Sequence, residues 1–352
     1  MEIDLLPNYQ SIIDDLNSKN RIKHLLFGNG FSISYDPAIF SYNALSNFIE
    51  TVDDDLLKQL FRNLNTKNFE LIMQQLDNFI EIAKIFSEDD KLVKKIEAAS
   101  EKLKTSLIDA VQQLHPDHVF TIPENESNAC FQFLKEFIEK GGQVFSTNYD
   151  LLPYWVLMRN DANLSTDGFG KDLENSSDEY EHDPQYSELR WGKYKETQNI
   201  FYLHGSLLIF DTGADVVKEI YGGENFLIEN IKARMAKKEY PIFVTAGNAN
   251  EKLTHISHSK YLTYCYDSLS SIKGSLITFG FNFGPYDTHI ISAINKAARN
   301  GNRGAPEEKL VSIYIGVYSD NDLNYINQLI ADKKFKCKVT PYDARTVNIW
   351  GR

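Results

Sequence analysis

The sequence predicts an α/β fold with a mostly parallel sheet and an inserted helical subdomain. Short apolar segments alternate with helical segments along most of the 352-residue chain, an order that is typical of parallel α/β sheets. The first apolar run, 25–27, meets a turn that contains Gly28 and Gly30. A long stretch, 64–114, instead has apolar residues at helical spacing. We therefore predict a sheet domain over 1–42 and 121–352, and a helical insertion over 43–120.

The elements follow from local patterns. Apolar residues at a spacing of three to four predict helices, namely 8–20, 40–49, two within 64–114, 128–140, 261–269, 289–299 and 323–331. Short apolar runs beside turn residues predict strands, namely 25–27, 143–146, 200–203, 241–245, 275–280, 311–317 and 336–342. We place all seven strands in one sheet, with 241–245 as its fourth member in chain order. The polar, acidic segment 160–190 predicts a surface connector, with a lid as the alternative.

The insertion carries two apolar stripes. The first contains Phe69, Ile72, Met73, Leu76, Phe79, Ile80 and Phe86, and the second Leu92, Ile96, Ala99, Leu103, Leu107, Val111 and Leu114. Amphipathic helices of this length must pack their stripes against something. A helical cap is the simpler interpretation, and a docking surface is the alternative.

Composition narrows the function classes. The net charge of −12 argues against nucleic acid or an anionic membrane as the main partner. Three distant cysteines, Cys130, Cys265 and Cys337, form no zinc ligand set, so we predict free thiols and no metal. No apolar run approaches the ~18 residues of a membrane span, and the start of the chain lacks signal-peptide character. The expectation is a cytoplasmic protein.

Polar residues and glycines recur where predicted strands end, which is where open α/β sheets bind ligands. The set comprises Gly28, Gly30, Ser32, Thr147, Asn148, Asp150, His204, Gly280, Asn282, Asp287, Gly316, Ser319 and Asp320. Because parallel strands end at one edge, this recurrence predicts a shared site. Glycines after a strand also allow a diphosphate to approach the backbone, although Ile33 replaces the third glycine of the dehydrogenase pattern.

Each polar residue has two interpretations. His204 is a general acid/base or a structural histidine. Asn148 orients a ribose hydroxyl or a water, or holds the turn in place. Asp150 stabilises developing positive charge, or caps a helix. Asp320 binds the adenosine ribose, or is a surface acid.

Three stretches together resemble a known family. Gly28-x-Gly30-x-Ser32, then 146–150 (Ser-Thr-Asn-Tyr-Asp), then 203–205 (Leu-His-Gly) resemble the NAD-site motifs of the sirtuin superfamily, G-A-G-x-S, T-Q-N-I-D and H-G. The order is the same. Two later stretches, 252–269 and 279–290, resemble bacterial sirtuin-like proteins, and the second contains a glycine-rich loop, an acid and a His-Ile pair.

The resemblance implies a Rossmann-like sheet that binds NAD and cleaves its nicotinamide–ribose bond. It implies catalytic roles for Asn148 and Asp150 at the nicotinamide ribose, and for His204 as general base. The implied NAD-binding residues are Gly28, Asn29, Gly30, Phe31, Ser32, Thr147, Gly280, Asn282, Asp287 and Asp320.

Two departures shape the functional hypothesis. Residues 206–264 contain no cysteine, so the four-cysteine zinc module of deacetylating sirtuins is missing, and Thr147-Asn148 lacks the intervening glutamine. Water therefore replaces acetyl-lysine as the expected acceptor. The leading hypothesis is an NAD glycohydrolase, gated as an anti-phage effector by homo-oligomerisation or by an ATPase or phage-sensing partner. The alternatives are a non-catalytic NAD or ADP-ribose sensor, a protein deacylase and, less in keeping with the sequence, a nuclease.

Overall fold

The structure is a computed structural model, and it describes residues 2–40, 55–63, 69–86, 90–114, 116, 118–160, 163–171, 189–220, 226–237, 239, 241–244, 249–299 and 308–352. The described strands are β1 (Lys23–Phe27), β2 (Val144–Ser146), β3 (Phe169–Lys171), β4 (Leu189–Trp191), β5 (Ile200–Tyr202), β6 (Gly205–Asp211), β7 (Val216–Lys218), β8 (Pro241–Phe243), β9 (Gly274–Phe279), β10 (Leu310–Val317) and β11 (Lys338–Asp343). The described α-helices are α1 (Tyr9–Ser18), α2 (Gly30–Tyr35), α3 (Pro37–Phe40), α4 (Asp55–Asn63), α5 (Phe69–Phe86), α6 (Asp90–Leu114), α7 (Glu124–Ile138), α8 (Leu152–Asn160), α9 (Leu227–Ala236), α10 (Ala249–His258), α11 (Lys260–Leu269), α12 (Thr288–Arg299) and α13 (Asp320–Ala331).

The main sheet has six strands, all parallel, in the order β11-β10-β9-β1-β2-β5. The chain builds one half from β1, β2 and β5, and then returns to the other side of β1 to add β9, β10 and β11. The order of strands therefore reverses between β1 and β9, as it does in a Rossmann-like fold. This confirms the predicted α/β class. We call the carboxyl ends of β1 and β9 the switch point.

The central strand β1 is buried along its whole length, because helices cover both faces of a parallel sheet. It begins two residues earlier than predicted, with a lysine and a histidine. Lys23 Nζ lies 2.5 Å from Glu136 Oε1 of α7. His24 Nε2 lies 2.7 Å from the Lys273 carbonyl oxygen. These partners allow polar residues inside the sheet.

A second sheet, antiparallel and in the order β3-β4-β7-β6-β8, was not predicted. The placement of 241–245 in the parallel sheet is wrong, because β8 pairs antiparallel with β6. A three-residue apolar strand has the same pattern in either kind of sheet. Residues 169–171 and 189–190 of the predicted connector 160–190 belong to β3 and β4. Residues 172–188 lie outside the described residues. The loop predicted between 245 and 252 is wrong for residues 249–252, which form the first part of α10.

The helices α4, α5 and α6 pack around a small apolar cluster that is separate from the main core. Its buried members are Leu57, Ile72, Leu76, Ala99 and Leu103. The predicted stripes are correct for these residues of α5 and α6. They are wrong for Phe79, Phe86 and Leu92, which are 51%, 84% and 44% exposed. The helix predicted over 40–49 falls almost wholly outside the described residues.

The sequence predicts no membrane-spanning helix, and the described helices can be compared with that prediction. None of them combines the length and the apolar composition needed to cross a bilayer. The longest, α6, is amphipathic and contains lysines throughout its first half.

Candidate active site

The turn after β1 packs directly against the loop after β9. The Gly30 N–H donates to the Gly280 carbonyl oxygen at 3.0 Å. A Cβ added at Gly30 would lie 2.4 Å from Gly280 Cα, and Gly280 itself has φ +61°. Only glycine combines this close approach with this backbone conformation. Packing of the two loops therefore accounts for the glycines at the switch point.

The N–H groups of this turn are largely engaged within the protein. Those of Gly28, Gly30 and Phe31 donate to the carbonyl oxygens of Phe279, Gly280 and Gly28, at 3.1, 3.0 and 2.9 Å. These three donors are therefore not available to a ligand at this turn. The expected diphosphate contact through these three N–H groups is thus not offered by this arrangement.

Ser32, Asn148 and Asp150 form a continuous hydrogen-bond chain, which we call the Ser–Asn–Asp network. Asn148 Nδ2 donates to Ser32 Oγ at 2.9 Å, and Ser32 Oγ donates to Asp150 Oδ2 at 2.5 Å. Ser32 lies in the first turn of α2, whereas the other two residues follow β2. The structure therefore brings together residues that lie 116 and 118 positions apart, as the shared-edge argument predicted.

The backbone orients this network further. The Asn148 N–H donates to Ser146 Oγ at 3.0 Å, and Asp150 Oδ1 accepts from the Leu152 N–H at 3.0 Å. Asp150 thus satisfies a donor in the first turn of α8, which is the structural interpretation of this residue. Its other oxygen still faces Ser32, so the same carboxylate serves the helix and the network. Thr147 joins the strands instead, since its N–H donates to the Phe27 carbonyl oxygen at 3.1 Å.

Burial raises the pKa of Asp150 to about 6, although hydrogen bonds from Ser32 and the Leu152 N–H favour the ionised form. Desolvation is the dominant cause. The carboxylate is ionised above this pH, and its charge is unusually costly in the folded state. A carboxylate of this kind at a sheet edge is typical of functional sites.

His204 follows β5 and is 4% exposed. Its Nε2 lies 2.9 Å from Nε2 of His289 on α12, with the rings 5.1 Å apart and 27° from parallel. The glycine after it is explained by packing, because a Cβ at Gly205, where φ is +83°, would lie 1.8 Å from the Ile242 carbonyl oxygen. The His-Gly pattern therefore reflects both a candidate base and a turn that only glycine allows.

Asp287 forms an ion pair that the sequence did not predict. Lys252 Nζ of α10 lies 2.9 Å from Asp287 Oδ1, and the two side chains are 11% and 20% exposed. Asn282 is exposed and accepts from the Gly284 N–H at 3.2 Å, so it holds the loop after β9. Lys252 and His289 were both missed as site residues. The Asp-x-His spacing in 287–289 was the available signal for His289. Lys252 offered only its place at the start of the stretch 252–269, which resembles bacterial sirtuin-like proteins.

A family model described as a domain of unknown function, DUF4917, matches residues 25–350. The chain belongs to the DUF4917 family. No curated protein matches this sequence. The matched span of the DUF4917 chain includes the switch point, the Ser–Asn–Asp network and the His204–His289 pair.

Asp320 does not join the other residues of the DUF4917 site. It begins α13 after β10, and β10 is separated from β1 by β9 in the sheet. Its Oδ1 accepts from the Ile3 N–H at 3.0 Å. This contact ties the start of the chain to the sheet edge, which favours the structural interpretation.

Three potential metal ligands lie near one another in the DUF4917 chain. Ring nitrogens of His204 and His289 and a carboxylate oxygen of Asp287 lie within 4.8 Å of each other. Lys252 already neutralises Asp287, and the two imidazoles bond to each other. A positive lysine beside the carboxylate opposes a divalent cation, so we assign these groups to an ion pair beside a hydrogen-bonded histidine pair.

Proposed function

We propose that the chain is an NAD glycohydrolase that releases nicotinamide and ADP-ribose. The Ser–Asn–Asp network carries this proposal. It links the first two sirtuin-like motifs by direct hydrogen bonds, at the sheet edge where dinucleotides bind in Rossmann-like folds. The third motif contributes His204 from the adjacent strand β5.

The charges of the site suit cleavage of a glycosidic bond. When the nicotinamide leaves, its former ribose carbon becomes positively charged, and the Asp150 carboxylate supplies a fixed negative charge. Asn148 Nδ2 is held by Ser32, so its Oδ1 is the amide atom that remains for a ribose hydroxyl. Burial keeps His204 neutral by lowering its pKa well below the usual range. A neutral imidazole can take the proton of the attacking water.

Gating belongs to the same proposal. Unregulated NAD hydrolysis would harm the cell that makes the enzyme, so we propose a triggered effector of anti-phage defence. Homo-oligomerisation, or an ATPase or phage-sensing partner, would supply the trigger. The exposed apolar side chains of α5, including Phe79, Ile82, Ile85 and Phe86, would suit such a contact.

The test is incubation of purified protein with NAD and chromatographic separation of the products. We expect nicotinamide and ADP-ribose from the wild type, and a loss of ~100-fold or more in rate for Asn148→Ala and for His204→Ala. Asn128→Ala and His258→Ala remove an exposed asparagine and an exposed histidine, and both should retain full rate. Equal turnover by all variants would remove the catalytic assignment.

A direct NAD-binding titration accompanies the assay. NAD binding without cleavage, under conditions that include oligomerisation, would favour the sensor alternative. No binding at all would refute the site. Binding by the wild type that weakens in Asn148→Ala, but not in Asn128→Ala, would support it.

A further inference from the structure

The His204–His289 pair contains a buried histidine that the proposed mechanism does not yet use. Both rings are nearly inaccessible, with exposures of 4% and 3%. Their Nε2 atoms lie 2.9 Å apart, which is a hydrogen-bond distance between two groups that each have one proton to place. One ring must therefore donate and the other accept.

The tautomer of each ring decides what His204 can do. If His204 donates from Nε2, its Nδ1 holds a lone pair and can act as a base. His289 then accepts at Nε2 and carries its proton on Nδ1, a buried atom without a hydrogen-bond partner among the described residues. In the reverse arrangement His204 Nδ1 is protonated and cannot accept a proton. The catalytic role proposed for His204 therefore requires His289 as acceptor.

We propose that His289 is a positioning residue that accepts the Nε2 proton of His204 during the reaction, an inference that rests on the proposed NAD glycohydrolase function. The attacking water forms a bond to the ribose carbon as its O–H bond breaks, and this proton joins His204 Nδ1. The Nε2 proton of His204 moves to His289 Nε2. The positive charge finishes on His289, and the nicotinamide leaves with the electron pair of its bond to ribose.

The charged neighbours of the pair support this direction of transfer. Lys252 from α10 opposes positive charge on either ring, whereas Asp287, from the single turn that precedes α12, favours it on His289. Asp287 is the next-but-one neighbour of His289 along the chain and is the carboxylate of this cluster. The Tyr266 hydroxyl donates to the His289 carbonyl oxygen at 3.1 Å, which helps to fix the start of α12. At His289 the Asp287 carboxylate partly offsets the opposition of Lys252, so the positive charge is better tolerated there than on His204.

The first test measures the tautomers without any substrate. Protein labelled with ¹⁵N-histidine is studied by NMR at pH 7, and the two rings are assigned from the signals missing in His204→Ala and His289→Gln. We expect His204 protonated at Nε2 only and His289 at Nδ1 only. The reverse tautomers, or a doubly protonated ring in the resting protein, would overturn the proposal.

The second test uses a variant that can hold His204 but cannot take its proton. The glutamine carbonyl of His289→Gln can accept the same hydrogen bond. We expect kcat to fall ~100-fold while KM changes less than ~3-fold. His255→Gln, at another histidine with an unpaired buried Nδ1, should leave both constants unchanged. Full activity in His289→Gln would show that position alone suffices and would refute the relay.

The two proposals fail in different ways. A wild-type protein that binds no NAD and cleaves none refutes the function, whereas the tautomers are still decided by NMR. An active wild type with reversed tautomers refutes the relay alone. A stoichiometric transition metal in purified protein, found by elemental analysis and lost in His289→Gln, would make the pair a metal site and also overturn the relay.

Discussion

Replacement of Asp150 by asparagine should stabilise the protein while it removes the proposed catalytic charge. An unfolded aspartate titrates near 3.8, whereas the folded pKa is about 6. Above pH 6 the ionised form therefore costs the folded state about 3 kcal/mol. Asparagine keeps an oxygen for the Leu152 N–H, but Ser32 loses its acceptor, which costs about 1 kcal/mol. The expected net gain at pH 7.5 is about 2 kcal/mol.

The raised pKa of the Asp150 carboxyl decides how the stability difference between wild type and Asp150→Asn changes with pH. Below about pH 3.8 Asp150 is protonated in both states, and its burial carries no penalty for charge. The penalty grows as pH rises from 3.8 to 6, because the unfolded state releases its proton first. Above pH 6 it is constant. The stability advantage of Asp150→Asn should therefore be smallest near pH 4 and largest above pH 6.

Urea unfolding of wild type and variant, followed by circular dichroism at pH 4.5, 6 and 7.5, measures this difference. Asp267→Asn replaces an exposed aspartate, and it should change stability by less than about 0.5 kcal/mol at every pH. A variant that is less stable than wild type at pH 7.5, or a difference that does not change with pH, would refute the reasoning.

Three further predictions use the same unfolding assay. Ser32→Ala removes a hydrogen bond from ionised Asp150 and should destabilise by about 1–2 kcal/mol at pH 7.5 but less at pH 4.5; equal losses would contradict it. Burial lowers the pKa of His24 to about 4. The stability that the neutral, buried His24 ring contributes to the folded state is therefore complete above pH 6.5 and is lost as pH falls toward 4. Wild type should therefore lose about 2 kcal/mol between pH 7 and 5 that His24→Gln retains, and parallel losses would contradict that. Gly30→Ala forces a Cβ to 2.4 Å from Gly280 Cα and should lower the free energy of unfolding by about 1–3 kcal/mol. Gly284→Ala, where the added Cβ would make ordinary contacts, should lower it little, and equal losses in the two variants would rule out the packing argument.

The strands of the main sheet were predictable from sequence because burial on both faces makes them continuous apolar runs. The second sheet was not, and its seven-residue strand β6 was missed although it is largely buried. The strands β3, β4, β7 and β8 have only three residues each, a pattern that does not distinguish between sheets. Segments so short show no periodicity, and their pairing depends on contacts distant in sequence. The same limit explains why the segment containing β8 was placed in the wrong sheet.

The polar part of the site was partly predictable. The side chains after β1 and β2 could be grouped because parallel strands end at one edge, and Ser32, Asn148 and Asp150 do meet there. His289 and Lys252 lie on helices after loops, where no strand-end rule applies. Asp320 also follows a strand of the parallel sheet, but that strand, β10, is not adjacent to β1. The Asp320 carboxylate accepts a hydrogen bond from the Ile3 N–H instead of joining the network.

The glycines and the polar residues of the motifs carry different kinds of evidence. Gly30, Gly205 and Gly280 are each required by a close backbone approach that would exist without any ligand. The Asp150 carboxylate is different, because its burial opposes the charged form that it carries above pH 6. The predicted stabilisation by Asp150→Asn means that folding alone would favour asparagine, which also caps helices well. A residue that costs stability and could be replaced cheaply points to function, so Asp150 supports a reaction at this edge more strongly than the glycine pattern does.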